Sequence, residues 1–194
     1  MDEMMQFRKN ALLGGLCKEW DGMWAACHDD KERLIRLVLM CQSAPYFATF
    51  CYNGRGLTKE YCKENFSEYI NGRVYYDCDN VEGFSYQMFV DPDDKNIQIN
   101  SDVSQFLWCN DVNLYVYRCK CPRMYVSNSS VIHITLEGYN EPHVYLFDNS
   151  KVIIDDADET SGIIVYGYSD ECSVDKGTYC LTNNIKFFRK ELRL

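Results

Sequence analysis

A segment of about 20 residues recurs in the C-terminal half of the chain, and this repeat constrains the fold more than any other feature. Residues 124–130 (MYVSNSS) align with residues 144–150 (VYLFDNS), and both align with residues 165–170 (VYGYSD). A weaker element follows with the same period, because Ile132 and Ile134 match Val152 and Ile154. One coil of two short strands cannot bury its inward side chains alone, whereas stacked coils share a continuous apolar column. The repeat therefore predicts a β-solenoid.

The predicted solenoid covers residues 110–194 and has about four coils of ~20 residues each. Side chains alternate between the two faces of a strand, so we expect Val144 and Leu146 to point inward. The Asp, Asn and Ser residues that end each copy favour turns, because they bond to nearby backbone and tolerate left-handed geometry. The alternative architecture is a β-sandwich whose hairpins are evenly spaced.

The first part of the chain has helical rather than strand periodicity. Trp20, Met23, Trp24 and Cys27 recur at spacings of three and four residues, which is typical of one buried helix face. Thr58 is the predicted N-cap of the last helix, and a short aromatic helix is predicted over residues 46–50. We thus predict an α+β chain with a helical domain over residues 1–72 and a connecting β-hairpin region over residues 73–109, built around the acidic turn at residues 91–94.

The charge is acidic and unevenly distributed. The net charge is −9, and residues 73–194 carry 19 acidic against 11 basic side chains. This balance argues against direct binding to nucleic acid or to an anionic membrane, both of which favour a basic face. A basic surface on another protein remains a suitable partner.

The chain start and the cysteine count bear on location. Residues 1–10 (MDEMMQFRKN) begin with acidic residues where a signal peptide needs positive charge, no apolar region follows them, and no apolar run approaches the ~20 residues of a membrane span. The eleven cysteines are then interpreted as reduced thiols. These features predict a cytoplasmic protein.

Two residue sets are candidates for chemical centres. Cys119 and Cys121 have a spacing of two, but a zinc site needs a second ligand pair, and the alternative is that both thiols pack on one strand face. His133 and His143 are the only histidines of the β region, and nothing in the sequence singles out a cysteine nucleophile to pair with either of them. We predict no catalytic residue, no metal site and no cofactor.

Two surface features are candidates for partner binding. The first is the densest run of carboxylates, for which the alternative interpretation is a solvated turn: Asp155, Asp156, Asp158 and Glu159. The second is a column of tyrosines, one per coil, and tyrosine is frequent where one side of a ring is packed and the other meets a partner. The column is predicted to contain Tyr125, Tyr145 and Tyr166, preceded by Tyr115. Its alternative role is simple stacking along the solenoid.

Three segments carry a resemblance to a protein family. They are residues 16–20 (LCKEW) with Trp24, residues 54–61 (GRGLTKEY) and residues 69–72 (YING). With these segments the chain resembles uncharacterised proteins encoded by phages and mobile elements of gut bacteria, in which a helical start precedes a variable β-repeat tail. The resemblance implies a gene context and location in the host cytosol, and it implies no chemistry.

These observations lead to a functional expectation. The chain is predicted to be a non-enzymatic accessory protein of a phage or mobile element that binds a basic host protein through its acidic surface. An inhibitor of a host defence system, acting in the manner of an anti-CRISPR, fits this size and charge by analogy. One alternative is a virion or tail component that forms homo-oligomers through the solenoid. The other is a carbohydrate-active β-helix enzyme with paired carboxylates.

Overall fold

A computed structural model describes residues 2–43, 54–76 and 85–191 of the chain. Its four helices are α1 (Glu3–Leu13), α2 (Lys18–Ala25), α3 (Lys31–Ser43) and α4 (Lys59–Phe66), and a 3₁₀ turn, Ser67–Tyr69, follows the last of them. The hydroxyl of Thr58 accepts a hydrogen bond from the backbone N–H of Tyr61 at 3.2 Å, so the predicted N-cap of α4 is confirmed. The short helix predicted over residues 46–50 lies outside the described residues.

Twelve strands follow in the described part of the chain, and they form two sheets. The strands are β1 (Val74–Tyr76), β2 (Ser85–Val90), β3 (Asn96–Ile99), β4 (Ser104–Trp108), β5 (Asn110–Tyr117), β6 (Arg123–Val126), β7 (Val131–Glu137), β8 (His143–Leu146), β9 (Lys151–Ala157), β10 (Ile163–Gly167), β11 (Ser173–Cys180) and β12 (Ile185–Arg189). The seven-stranded sheet has the order β1-β2-β4-β6-β8-β10-β12, and the five-stranded sheet has the order β11-β9-β7-β5-β3. Because the chain alternates between the two sheets at each step from β2 onward, it winds into a β-solenoid of about five coils.

The coil-to-coil pairing is parallel, and it confirms the alignment of the sequence copies. Tyr125 pairs with Tyr145, and Tyr145 pairs with Tyr166, on successive coils. Val144 and Leu146 are fully buried in the interior, as predicted. The evenly spaced segments thus stack in register and do not form the hairpins of a β-sandwich, so the alternative architecture is wrong.

The predicted hairpin within residues 73–109 is also wrong. β2 pairs in parallel with β4, and β3 pairs in parallel with β5, so β2 and β3 together form the first coil of the solenoid. The acidic turn at residues 91–94 is a corner of that coil, and the antiparallel strand is β1, beside β2. The solenoid therefore begins at Ser85 and has about one coil more than predicted. A single residue, Cys109, separates β4 from β5, so the second coil lacks the turn of four or five residues that joins the corresponding strands of the later copies.

The corners are held by side chains that bond to the next coil. At one corner a set of buried residues recurs every 21 residues, and we call it the corner ladder: Cys119, Asn140, Ser161 and Thr182. The Asn140 side chain accepts the backbone N–H of Cys119 at 2.8 Å, and the Asn140 N–H donates to the Ser161 hydroxyl at 3.3 Å. At the opposite corner Asn128 and Asp148 have left-handed backbones, as predicted for turn residues.

The helices share a core with the solenoid. Side chains from all four helices, including Phe7, Trp24, Val38 and Cys62, belong to one buried cluster with residues on the outer face of the seven-stranded sheet. Those sheet residues are Tyr75, Tyr86, Met88, Val90, Phe106, Trp108 and Tyr125, and Phe147, which directly follows β8, joins the same cluster. The predicted helical region is present, and it forms a layer over part of that sheet. Within the described residues, no helix has both the length and the apolar character needed to cross a membrane.

Candidate partner-binding surface

A stack of five aromatic rings runs across the outer face of the seven-stranded sheet. We call it the aromatic ladder, and it takes one residue from each of β4, β6, β8, β10 and β12: Phe106, Tyr125, Tyr145, Tyr166 and Phe188. Successive ring centroids are 5.0, 4.9, 5.2 and 5.8 Å apart, with interplanar angles between 11° and 23°. The first three spacings are close to the ~4.8 Å between paired strands, so parallel in-register pairing alone places the rings face to face.

Cover by the helices divides the ladder into two halves. Phe106 and Tyr125 are fully buried, Tyr145 and Tyr166 are half-buried, and Phe188 is 45% exposed. Burial raises the pKa of Tyr125 far above its ordinary value, and it raises the pKa of Tyr145 as well. The helical layer ends near Tyr145, which packs at its margin together with Tyr168.

The prediction for the tyrosine column is corrected at two positions. Tyr115 lies on β5 in the five-stranded sheet, so it cannot belong to the column, and Phe106 takes the place expected for it. Tyr125 does belong to the column, but its complete burial beneath the helices excludes it from contact with a partner. Tyr145 and Tyr166 retain accessible edges. Strand periodicity identified the column, but it could not indicate which members the helices cover.

The uncovered half of the ladder forms the centre of an aromatic surface with basic residues at its end. We define the uncovered aromatic face as the outward side chains Tyr145, Ile164, Tyr166, Tyr168, Lys186, Phe188 and Lys190. The Lys190 ammonium lies 5.7 Å from the centroid of the Tyr166 ring, within range of a cation–π contact. Tyr168 stacks on the buried ring of Phe147 at 5.0 Å. Packed ring faces and accessible ring edges are typical of protein contact surfaces.

The four carboxylates of the predicted acidic run have different environments. Asp155 lies on β9, where its carboxylate is 2.9 Å from Nδ1 of His133, and Asp111 lies 3.3 Å from Nε2 of the same ring. Asp156 and Glu159 are exposed. Asp158 lies in the corner between β9 and β10.

The carboxylate of Asp158 organises its turn. It accepts the backbone N–H of Gly138 at 2.6 Å, the backbone N–H of Ser161 at 2.8 Å and the hydroxyl of Thr160 at 2.8 Å. The bond from Gly138 is the main cause that lowers the pKa of Asp158 to about 2, and the bonds from Thr160 and Ser161 add to it. Asp158 therefore fits the alternative interpretation of the acidic run, in which the carboxylates belong to a turn at a coil corner.

A wider acidic surface lies on the outside of the five-stranded sheet. Asp111, Glu137, Asp156 and Asp175 are exposed along this sheet, and we call them the acidic face. Lys151 forms an ion pair with Asp175 at 2.5 Å, so part of the charge is neutralised. The outer surface of the seven-stranded sheet therefore presents aromatic rings and lysines, whereas that of the five-stranded sheet presents carboxylates.

The cysteines considered for metal binding do not share a face. Cys119 is buried with its thiol 3.2 Å from the carbonyl oxygen of Ile99, whereas Cys121 is exposed, and both lie in a coil corner rather than in a strand. Burial raises the pKa of Cys119 to about 11 and that of Cys109 to about 12, so both stay protonated near neutral pH. Within residues 2–43, 54–76 and 85–191, no group of three or more His, Cys, Asp or Glu residues is arranged to hold a metal ion.

Comparison with known proteins does not assign the chain to a family. No family model matches it, and neither a curated protein nor a solved structure is significantly similar to it.

Lys186, Phe188 and Lys190 were absent from the sequence-based candidates. The last copy of the repeat ends near residue 174, and residues 185–190 (IKFFRK) have no turn signal of the Asn-Ser type after them. The available signal for a further strand was the group of β-branched and aromatic residues Ile185, Phe187 and Phe188.

Proposed function

We propose that this chain is a non-enzymatic protein-binding protein and that its partner contacts the uncovered aromatic face. The observation that carries the proposal is the continuity of the aromatic ladder. Its first half is the surface on which the protein's own helices pack, and its second half continues with the same strand register and ring stacking. An aromatic surface that already holds α-helices is chemically suited to hold another protein.

The ring geometry favours a protein partner over a sugar or a nucleic acid. Sugars and bases bind to aromatic side chains mainly through the flat ring faces. In the ladder both faces of Tyr145 and both faces of Tyr166 are covered by neighbouring rings at centroid distances of 4.9, 5.2 and 5.8 Å, so ring edges and hydroxyl groups remain for contact. Edges and hydroxyls suit the mixed apolar and hydrogen-bonding surface of a protein. The net charge of −9 also disfavours nucleic acid.

Site-specific photo-crosslinking tests the proposal. A photoreactive phenylalanine analogue placed at Tyr166 should crosslink to one protein in lysate of cells that express the chain naturally. The same analogue at Tyr115, which is exposed on the opposite sheet, is the matched control. The double variant Tyr166→Ala, Phe188→Ala should lose capture of that protein, and Tyr115→Ala, Tyr117→Ala should keep it. Equal capture from both positions, or equal loss in both double variants, would contradict the proposal.

A second candidate is binding of a basic protein at the acidic face, for which the exposed carboxylates of the five-stranded sheet provide the observation. The variant Asp111→Asn, Glu137→Gln, Asp156→Asn, Asp175→Asn removes four charges on that side. Loss of a basic partner in this variant, with retention in the Tyr166→Ala, Phe188→Ala variant, would favour the second candidate over the first.

The biological setting of either candidate stays a prediction. The phage origin, the host cytosol and the anti-CRISPR-like role rest on the resemblance of three sequence segments and on analogy. A virion or tail component would instead form a stable homo-oligomer, which sedimentation of the purified chain would reveal.

A further inference from the structure

We infer that the partner of the uncovered aromatic face includes an extended acidic segment, which adds as a strand to the free edge of β12. This inference rests on the proposed function and specifies the chemistry of the partner. Its starting observation is the place of β12 at the end of the seven-stranded sheet, where it pairs with β10 on one side. Within residues 85–191 no further strand pairs with its other side. Backbone groups along such an edge are available to another chain.

The end of the solenoid at β12 leaves apolar surface open. By its pairing with Val165, Phe187 faces the interior of the solenoid, yet it is 39% exposed. Its ring lies over Gly167, where a Cβ would come within 2.9 Å of it, so a small residue is needed beneath the ring. Phe188 is 45% exposed on the outer side of the same strand. An added strand would cover both rings.

The charges on this edge distinguish between occupants. The outward side chains along the edge are Lys186, Phe188 and Lys190, and residues 185–190 contain no carboxylate. Antiparallel pairing of two β12 edges would bring the basic side chains of both copies together, and lysines on an edge strand oppose such pairing. A segment with carboxylates opposite Lys186 and Lys190 would instead form cross-strand ion pairs. The edge therefore selects an acidic strand rather than a second copy.

Arg189 is already used within the molecule. Its guanidinium donates to the carbonyl oxygens of Ser169 and Cys172, the latter at 2.9 Å, and lies over the Phe187 ring at 4.8 Å. This side chain holds the end of β12 against the preceding coil. Lys186 is exposed, and Lys190 lies over Tyr166, so these two lysines can meet a partner.

A symmetrical peptide tests the inference without assuming a strand direction. The probe is acetyl-Gly-Glu-Val-Tyr-Val-Glu-Gly-amide, whose Glu, Tyr and Glu side chains meet Lys186, Phe188 and Lys190 in either orientation. Controls are the same peptide with Lys in place of both Glu residues, and the acidic peptide with N-methylated backbone at Tyr and at both Val residues, which removes backbone donors on both edges of the peptide. Binding to the full chain is followed by ¹H–¹⁵N spectra and by amide exchange of residues 185–190.

We expect the acidic peptide to bind roughly tenfold more tightly than the basic peptide, because two favourable cross-strand charge pairs replace two unfavourable ones. It should also slow amide exchange in β12, and N-methylation should abolish both effects. In the variant Lys186→Glu, Lys190→Glu the preference should reverse. Thermal unfolding of this variant checks that it is folded.

Three results would overturn the inference. They are equal binding of acidic and basic peptides, binding of the N-methylated peptide, and a concentration-dependent dimer with protected β12 amides in the absence of peptide. Crosslinking from Tyr166 separates this failure from that of the proposed function. If the Tyr166 position still captures a partner while the peptide tests fail, the aromatic face binds proteins but β12 does not accept a strand.

Discussion

The two halves of the aromatic ladder have the same backbone register and differ in what lies above them. In the first half, Phe106 and Tyr125 stack at 5.0 Å beneath the helices and are fully buried. In the second half, Tyr166 and Phe188 stack at 5.8 Å and keep accessible surface. Stacking therefore follows from strand pairing alone, whereas the role of each ring depends on the layer above it. Equivalent repeat positions serve the core in one half and are available for binding in the other.

The largest expected effect comes from removing a ring in the covered half. Tyr125→Ala leaves a cavity between the helices and the sheet, and removal of a fully buried aromatic ring costs about 3–5 kcal/mol. Urea unfolding followed by circular dichroism measures the loss. A cost below about 1 kcal/mol would show that the helices do not pack on the ladder, and it would remove the contrast between the two halves.

The next effect concerns the corner ladder, which is buried at each of its four positions. Asn140→Ala removes the acceptor of the Cys119 N–H, and a buried N–H left without a partner costs about 1–3 kcal/mol. Urea unfolding measures the loss in the free energy of unfolding. Asn149→Ala, at an exposed turn position, is the matched control, and we expect it to lower the free energy of unfolding by less. Equal costs at the two positions would mean that burial does not govern the corner bonds.

A smaller change in stability is expected in the uncovered half. Tyr166→Ala removes a half-buried ring between two stacked neighbours, and the lost stacking is worth about 1 kcal/mol. Comparison with Tyr125→Ala under the same denaturant series gives the difference between the halves directly. If Tyr166→Ala were as costly as Tyr125→Ala, Tyr166 would be a core residue and a poor candidate for partner contact.

A further effect is a pH dependence of stability at the corner that joins the coils of Tyr145 and Tyr166. The folded protein lowers the pKa of Asp158 from its ordinary value of 3.8 to about 2. The carboxylate therefore contributes stability above the ordinary value, and this contribution is lost as the pH falls toward 2. Asp158→Asn should be less stable than the parent protein at pH 6, and the two stability curves should converge at low pH. A difference in the free energy of unfolding between the variant and the parent protein that stays constant from pH 6 to pH 2 would contradict the assigned hydrogen bonds.

The later coils were predictable because their signal is local. The copies at residues 124–130 and 144–150 have the same turn residues and the same alternation, and one interval of the chain is enough to recognise them. The first coils were missed because Gln87 and Gln105 replace apolar residues at inward positions, and because the corner at Cys109 is a single residue. Without those markers, residues 85–99 resemble a hairpin.

Part of the candidate surface was predictable in the same way. Tyr145 and Tyr166 follow from the period of the repeat, whereas Phe188 and the two lysines beside it belong to a strand without a turn signal. The acidic run is divided between a strand and a turn, because β9 ends at Ala157. The composition of the run does not indicate where the strand ends.

The sequence by itself determined the parallel stacking, the inward apolar column and the turn residues at the later corners, because each of these repeats at the period of the coil. Tertiary structure alone decided where the helical layer lies, and hence that Tyr125 belongs to the core while Tyr166 and Phe188 remain accessible. The physical reason is range. Strand pairing between coils joins residues about 20 positions apart, whereas the packing of helices on the sheet brings residues such as Phe7 and Met88 into one buried cluster, and no period connects them.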